Sequence, residues 1–249
     1  MLAAEQVGKG PPVVLVHGFT QTRQAWLPVA NLLSGLNRFT LVDAPGHGGS
    51  GGVRADLWEG ATFLGVTGGQ AAYAGYSMGG RLCLHLALAQ PELVERLVLV
   101  SASPGIEDPG QRAARRASDG ALAQRVEAEG VAAFVDWWLA RPLFATLPAS
   151  AAGRQERLAN TAEGLAGSLR LAGAGSQEPL WDRLSELAMP ALVVAGDRDA
   201  TYVDIGRRMA ARIGDNAELV LIPGAGHACH LERLDAFCVV LADFLQEAH

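Results

Sequence analysis

The chain has 249 residues, 49% of them hydrophobic and 18% charged, which is enough to bury one large core. Its formal net charge of −6 at pH 7 argues against a broad nucleic-acid surface, and no apolar run is long enough for a membrane span. The three cysteines match no metal-ligand spacing and are typical of reduced thiols, so we expect a cytoplasmic protein without a metal site.

The first half of the chain predicts strands that alternate with helices. Residues 1–6 lack the basic and apolar regions of a signal peptide, and residues 1–12 hold at most one short strand. The region 51–69 is rich in glycine, and the pattern does not fix a helix there. Elsewhere the pattern predicts strands over 13–16, 39–43, 70–76 and 97–101 and helices over 26–36 and 78–89. Because the strand runs are continuously apolar, they indicate a mostly parallel sheet with helices on both faces.

A long segment after these elements has no strand pattern, and its helical stretches are rich in Ala, Arg, Glu and Trp. Later apolar runs predict strands over 191–195 and 218–222 and a closing helix over 234–246. We therefore predict an α/β core formed by residues 1–103 and 179–249, with a helical lid over 104–178 inserted between two strands.

The sequence Gly75-Tyr76-Ser77-Met78-Gly79 lies between a predicted strand and a predicted helix. A sharp strand-to-helix turn crowds the residues two before and two after it, and glycine relieves the crowding because it has no Cβ. Ser77 would then occupy strained backbone, with its hydroxyl at the helix N-terminus where developing negative charge is favoured. This context predicts that Ser77 is a nucleophile.

Three further segments supply the partners that such a serine needs. The first long apolar run leads into His17-Gly18-Phe19, which predicts an oxyanion loop with the backbone amides of Phe19 and Met78 as donors. Two late strands are followed by Asp199 and by His227. The order serine, aspartate, histidine is that of an α/β-hydrolase triad, in which the imidazole is the base and the carboxylate orients it.

Three nearby residues compete for these roles. Asp197 could be the orienting acid in place of Asp199. We prefer Asp199 because Asp199 lies beyond the strand end. His230 could be the base in place of His227. We prefer His227 because His227 follows a glycine-rich turn. Cys229 could be taken for a nucleophile, but a small buried filler is the simpler interpretation because no strand-to-helix turn presents it.

Arg81 follows the serine by four residues, one helical turn, so the two side chains can share a face. It is either a solvated helix arginine or a buried cation, and a buried cation is costly unless paired, which favours a substrate carboxylate. Downstream, Arg112, Arg115 and Arg116 form a cluster that is usual for a solvent-exposed face. Aromatic residues between 134 and 144 could roof a pocket, although packing onto the core is their default role.

Several longer motifs accompany these residues. They are His17-Gly18-Phe19, Asp43–Ser50, Gly75–Arg81, Ser103-Pro104-Gly105-Ile106, Gln111–Arg115, Ser118-Asp119, Phe134 with Trp137, Pro142–Phe144 and Gly173–Trp181. Together they resemble the α/β-hydrolase superfamily across essentially the whole chain. Within it they resemble the 2-succinyl-6-hydroxy-2,4-cyclohexadiene-1-carboxylate (SHCHC) synthase family of the menaquinone pathway. The superfamily motifs fix only the fold, whereas the serine-plus-four arginine and the lid motifs are more selective.

The resemblance implies a carbon–oxygen lyase. Ser77, made basic by His227 and Asp199, would remove a proton α to a carbonyl, and pyruvate would leave from the adjacent enol ether to give a conjugated cyclohexadiene acid. The resemblance implies a small polycarboxylate substrate and neither a metal nor an organic cofactor. The residues that it implies for substrate binding are Arg81, Arg115, Arg157, Tyr76, Trp137 and Phe144.

Two other functions remain open from the sequence. A carboxylesterase or other acyl hydrolase would use the same triad through an acyl-enzyme, and hydrolysis is the commonest activity of this fold. A non-catalytic binding module would use the same scaffold, although an intact triad argues against it. Under every alternative we expect neither a nucleic-acid partner nor membrane insertion.

Overall fold

A seven-stranded sheet forms the centre of the computed structural model, which describes residues 1–246. Its strands are β1 (Ala4–Gly8), β2 (Pro12–Val16), β3 (Arg38–Val42), β4 (Ala71–Tyr76), β5 (Val94–Val100), β6 (Ala191–Gly196) and β7 (Ala217–Ile222). Their order across the sheet is β1-β3-β2-β4-β5-β6-β7. Only β1 runs antiparallel to its neighbour, so the predicted mostly parallel sheet is confirmed.

Helices connect the parallel strands and cover both faces of the sheet. They are α1 (Leu27–Leu33), α2 (Leu57–Gly68), α3 (Met78–Ala89), α4 (Pro109–Leu139), α5 (Arg154–Arg157), α6 (Ala162–Ala172), α7 (Ala200–Ile213), α8 (Cys229–Glu232) and α9 (Leu234–Gln246). None of the helices in residues 1–246 is long and apolar enough to cross a membrane.

The core lies in two layers, one on each side of the sheet. Alternate strand residues face opposite layers because successive side chains of a strand point to opposite faces. Val14 and Leu97 belong to the layer under α2, α3 and α7, whereas Val13 and Val98 belong to the layer under α1 and α9. Burial on both faces explains why the strand sequences are continuously apolar.

Two helices differ from the sequence prediction. The helix predicted over 26–36 is shorter, because α1 starts just before Pro28 and ends at Leu33, ahead of Ser34 and Gly35. The helix left unplaced within 51–69 is α2. It begins with a capping box, in which the Asp56 carboxylate accepts from the Glu59 amide at 2.9 Å and the Glu59 carboxylate accepts from the Asp56 amide at 3.1 Å.

The chain between β5 and β6 forms a helical insertion, as the sequence predicts; its exact boundaries at 104 and 178 stay a prediction. Its main helix, α4, bends at Gly130, which has φ 79° and ψ 166°. Apolar side chains of α4 pack against α6. The insertion also contacts the loop after β2, since the Phe19 ring lies 6.3 Å from that of Phe134 and 5.3 Å from that of Trp138. It therefore covers the edge of the sheet at which β2 and β4 end.

Candidate active site

Ser77 occupies a strained turn between β4 and α3. Its backbone has φ 50° and ψ −106°, and its amide donates to the Val100 carbonyl at 2.8 Å. The neighbouring glycines are required by close contacts between backbone segments. A Cβ on Gly75 would lie 2.3 Å from the Gly79 oxygen, and a Cβ on Gly79 would lie 2.1 Å from the Val16 oxygen. The turn thus holds the Ser77 hydroxyl at the start of α3.

The structure brings Ser77, His227 and Asp199 together. His227 Nε2 lies 3.3 Å from Ser77 Oγ, and His227 Nδ1 lies 2.8 Å from Asp199 Oδ2. An aspartate at Nδ1 fixes the tautomer in which Nδ1–H donates, so Nε2 is free to accept the serine proton. The imidazole is buried, and the Tyr202 ring packs against it at 4.5 Å. This geometry is that of a nucleophile with its base and an orienting acid.

The competing residues have other surroundings. Asp197 is exposed, and its carboxylate accepts from a backbone amide of the loop after β7. His230 is buried between Trp26 and Tyr76, at 4.5 and 4.4 Å between ring centroids, and its ring nitrogens have no hydrogen-bond partner in residues 1–246. Burial lowers the pKa of His230 to about 3 and raises the pKa of Cys229 to about 12. A neutral thiol of this kind is a poor nucleophile.

Two backbone amides beside Ser77 are available as oxyanion donors. Phe19 follows β2, Met78 begins α3, and both line the cavity that contains Ser77. Within residues 1–246 neither amide donates to a protein acceptor. The first amide of a helix has no partner inside the helix, so the Met78 N–H can point at a ligand. Thr20, at φ 67°, completes the loop that carries Phe19.

Two buried histidines hold this loop in place. His17 Nδ1 donates to the Gly18 carbonyl at 2.8 Å, and its Nε2 accepts from the Ala44 amide at 3.0 Å. His47 Nε2 accepts from the Thr20 amide at 3.3 Å. Acceptance from an amide requires a neutral ring, and burial lowers the pKa of His17 to about 4 and that of His47 to about 3. Both rings therefore act as fixed structural acceptors at neutral pH.

Ser77 and His227 open into a cavity of about 480 Å³ with a cationic lining. Arg81 is 9% exposed, and its Nη1 donates to the Ala172 carbonyl at 2.8 Å. Burial lowers the pKa of Arg81 to about 10, which leaves it charged at neutral pH. Arg115 pairs with the buried Asp119 at 2.8 Å. The lining of this cavity includes Ser77, His227, Arg81, Arg115, Tyr202 and Arg141.

The model of the alpha/beta hydrolase family matches residues 13–239. The chain belongs to this family. An SHCHC synthase of Klebsiella pneumoniae is 32% identical over 98% of this chain and 99% of its own, and one of Salmonella paratyphi C is 30% identical over 95% and 94%. MenH from S. aureus has a TM-score of 0.90 at 29% identity, over 99% of this chain and 98% of that one. The enol-lactonase from Burkholderia xenovorans LB400 has a TM-score of 0.81 at 27% identity, over 99% and 96%. The superfamily and the resemblance predicted from the sequence are confirmed, and the chain is an enzyme of the α/β-hydrolase fold.

Arg157 of this α/β hydrolase donates hydrogen bonds to the oxyanion loop and does not line the larger cavity. It is 2% exposed, its Nε donates to the Ala152 carbonyl at 2.8 Å, and its Nη1 donates to Thr20 Oγ1 and towards the Phe19 carbonyl. Burial lowers the pKa of Arg157 to about 10. A small cavity of about 30 Å³ lies between this guanidinium and the catalytic pair; its lining includes Tyr76, Phe144, Arg157, Ser77 and His227.

Trp137 does not line either cavity, which corrects the expectation that it shapes the pocket. Its ring packs against Phe134 at 5.8 Å and under the Arg125 guanidinium at 4.0 Å. Trp138 lines both cavities instead. Successive helical residues point about 100° apart, so neighbouring indoles face different directions and the rotation of the helix decides which one faces the serine. Sequence alone does not fix that rotation.

Besides Trp138, sequence reasoning missed Tyr202 and Arg141, which line the larger cavity. Tyr202 lies three residues after Asp199, and the Asp199 carboxylate accepts from its amide at 3.3 Å. The sequence signal for Tyr202 was its position three residues after Asp199, an aspartate suited to cap a helix. Arg141 lies two residues after the end of α4 and is exposed, and nothing in its local sequence separates it from other surface arginines. In residues 1–246 no group of three or more His, Cys, Asp or Glu side chains is arranged to hold a metal ion.

Proposed function

We propose that this enzyme is a carbon–oxygen lyase of menaquinone biosynthesis. Its substrate would be 2-succinyl-5-enolpyruvyl-6-hydroxy-3-cyclohexene-1-carboxylate, from which it would eliminate pyruvate to give SHCHC. Arg81 is the observation that carries the proposal, because hydrolysis of a simple ester needs no cation beside the nucleophile. The names of the matched synthases support the same reaction.

Arg81 is a buried cation that forms no ion pair in residues 1–246, and Asp119, the acid whose charge acts on it, pairs with Arg115. No carboxylate of residues 1–246 lies within ion-pair distance of it, and its one hydrogen bond goes to a neutral carbonyl. A buried guanidinium is costly unless an anion neutralises it. A substrate carboxylate in the cavity would supply that anion in bidentate geometry, one helical turn from Ser77. The free enzyme therefore carries a site that a polycarboxylate completes.

The triad can perform the proton transfer that this reaction needs. Ser77 Oγ gives its proton to His227 Nε2 and takes the proton from the substrate carbon α to the succinyl carbonyl. The electron pair released from that carbon shifts through the ring double bond. The bond between the ring carbon and the enolpyruvyl oxygen then breaks. Asp199 stabilises the imidazolium, which returns a proton to the departing pyruvate enolate. The proposed step uses no metal or organic cofactor.

The oxyanion amides would stabilise the charge that develops on the carbonyl. As the α-carbon loses its proton, negative charge moves to the carbonyl oxygen, and fixed donors stabilise that charge without reorganisation. We assign these donors to Phe19 and Met78, whose amides have no acceptor in the described residues. Tyr76 and Phe144 lie beside the catalytic pair and would limit the space around the reacting ring.

A pyruvate-coupled assay on the proposed substrate tests this function. We expect pyruvate release by the wild type, a loss of about 1,000-fold or more in Ser77→Ala, and a loss of about 10- to 100-fold in kcat/KM in Arg81→Ala. Arg170→Ala is the matched control, since it removes an exposed arginine that pairs with Glu127 in the insertion. Unchanged turnover in Arg81→Ala would remove the reason for preferring a polyanionic substrate.

An acyl hydrolase is the second candidate, since the same triad and amides suit acyl transfer. The likeness to an enol-lactonase at a TM-score of 0.81 favours keeping it. This function predicts a burst of product from p-nitrophenyl esters and steady turnover that is indifferent to Arg81. Ester turnover that survives Arg81→Ala, without pyruvate release from the pathway substrate, would select the hydrolase. A cytoplasmic location stays a prediction, in keeping with three free buried cysteines.

A further inference from the structure

We propose that Arg141 binds the carboxylate of the substrate's succinyl arm and thereby selects a tricarboxylate. The inference rests on the proposed function and adds a residue to its binding site. Arg141 lines the same cavity as Ser77 and Arg81. It follows the last turn of α4, where its amide donates to the Trp138 carbonyl at 3.2 Å.

The Arg141 guanidinium is oriented but not neutralised. Its Cζ lies 4.9 Å from the Trp137 ring centroid and 5.4 Å from that of Trp138. Stacking on indoles fixes the plane of a guanidinium while leaving its in-plane N–H donors free for an anion. Within residues 1–246 no carboxylate lies within 4.0 Å of Arg141. An oriented, unpaired cation in the wall of a catalytic cavity is suited to an anionic ligand.

Several arginines of the insertion have carboxylate partners, whereas Arg112 and Arg116 donate to backbone carbonyls. Four of them form ion pairs at 2.9 Å or less, namely Arg115, Arg125, Arg154 and Arg170. Arg157 is buried and bonded to the oxyanion loop. Arg141 lines the cavity, as Arg115 does, but unlike Arg115 it has no carboxylate partner in residues 1–246.

Trp138 contacts both Phe19 and Arg141 and so connects the oxyanion donors with the Arg141 guanidinium. The carbonyl next to the reacting carbon would sit at the Phe19 amide, and the Phe19 ring lies 5.3 Å from Trp138. Arg141 lies over the same indole. Two methylene groups separate the succinyl carbonyl from its carboxylate, and an arm that leaves the oxyanion site along Trp138 would run towards this guanidinium.

The remaining carboxylates have cations elsewhere in the cavity. Arg81 lies one turn from Ser77, and Arg115 lies on the arm of α4 before the bend at Gly130. Arg141 lies just beyond the other arm. A ligand that reaches both arms needs anionic groups at separated positions, and a cavity of about 480 Å³ is within the range of small-molecule sites. Arg81, Arg115 and Arg141 thus provide three cations in one cavity, one for each carboxylate of the proposed substrate.

The test compares Arg141→Gln with Arg125→Gln on two ligands. The ligands are the tricarboxylate substrate and its analogue with the succinyl carboxylate replaced by a carboxamide. Arg125 is the matched control because it stacks on the same Trp137 ring at 4.0 Å but does not line the cavity. We measure KM and kcat in the wild-type background, and Kd by titration calorimetry in the Ser77→Ala background.

We expect Arg141→Gln to raise KM and Kd for the tricarboxylate about 10-fold, the size of one charge-assisted hydrogen-bonded pair. We expect kcat to change less than about 3-fold, because Arg141 does not touch the reacting atoms. The carboxamide analogue should bind both enzymes about equally, and Arg141→Lys should restore part of the affinity for the tricarboxylate. Arg125→Gln should resemble the wild type on both ligands.

Three outcomes separate this inference from the lyase proposal. Unchanged constants in Arg141→Gln, or equal losses for both ligands, would overturn the Arg141 assignment while pyruvate release still upheld the lyase. Absence of pyruvate release, together with tight binding to Ser77→Ala that Arg141→Gln weakens, would overturn the lyase and uphold the assignment. Absence of both binding and turnover would overturn both.

Discussion

Arg81 and Arg157 show how the partner of a buried charge decides its role. Burial lowers the pKa of both guanidiniums to about 10. Arg157 donates to the oxyanion loop through Thr20 and the Phe19 carbonyl, and to the insertion through the Ala152 carbonyl. It ties together two parts of the molecule that must be aligned for the Phe19 amide to face the substrate. We therefore regard Arg157 as a positioning residue that also borders the small cavity.

Replacing Arg157 should affect the chemical step more than substrate affinity. In Arg157→Ala the oxyanion loop loses its tie, so we expect kcat to fall about 10-fold or more, whereas KM should change less than about 3-fold. Buried carbonyls left without a donor should lower the free energy of unfolding by about 1–3 kcal/mol. Steady-state kinetics and urea unfolding measure the two effects. A large rise in KM at unchanged kcat would instead favour direct carboxylate binding.

Tyr202 should act through its ring rather than its hydroxyl. The ring lies 4.5 Å from that of His227 and closes the cavity beside it. We expect Tyr202→Phe to retain kcat within about 3-fold, because the packing surface remains. Tyr202→Ala should lower kcat about 10-fold, because the imidazole loses the contact that holds its orientation. Equal losses in the two variants, measured in the same pyruvate-coupled assay, would assign the role to the phenol group.

The strand–turn–helix element around Ser77 depends on backbone contacts that no side chain can relieve. A Cβ on Gly79 would lie 2.1 Å from the Val16 carbonyl oxygen, whereas a Cβ on Gly120 of α4 would meet no atom within 4 Å. Gly79→Ala should therefore lower the free energy of unfolding by several kcal/mol or prevent folding. Gly120→Ala should raise it by about 0.5–1 kcal/mol, the helix propensity difference. Urea unfolding monitored by circular dichroism distinguishes the pair; similar values would refute the contact argument.

Elements with local signals were predictable, and arrangements set by long-range packing were not. The turn at Ser77 is encoded within five residues. The capping box of Asp56 and Glu59 is also a local sequence pattern, and it marks the start of α2. The choice between Trp137 and Trp138 depends on how this arm of α4 is rotated about its axis, which packing against the rest of the molecule decides. The hydrogen bond between Arg157 and Thr20 joins residues 137 positions apart, and no local pattern reports such a contact.

Across the whole molecule, several histidines around the candidate site and in the core are buried and neutral. Those with lowered pKa values are His17, His47, His85 and His230. Burial is the largest cause in each case, and the pKa values fall to about 4 for His17 and His85 and to about 3 for His47 and His230. All four rings are uncharged in the folded protein at neutral pH, and an unfolded chain would titrate them near 6.5.

The folded protein should lose stability as the pH falls below about 6.5. Between that value and the folded pKa values, the unfolded chain binds protons that the folded chain does not, so the free energy of unfolding decreases with falling pH. The full stabilisation is present above 6.5, and each histidine contributes a slope of up to about 1.4 kcal/mol per pH unit below it. Urea unfolding at intervals from pH 7.5 to 5.0 measures the slope before most carboxylates titrate.

His230→Phe isolates one of these four contributions. The ring lies between Trp26 and Tyr76, its nitrogens have no partner in residues 1–246, and an apolar ring fills the same place without a titratable group. Repacking can shift the stability of the variant by a constant amount, but only the loss of a titrating group changes the slope. We expect the stability of the variant relative to the wild type to increase by up to about 1.4 kcal/mol per pH unit below 6.5. Parallel curves for the two proteins between pH 6.5 and 5.0 would contradict a neutral His230 in the fold.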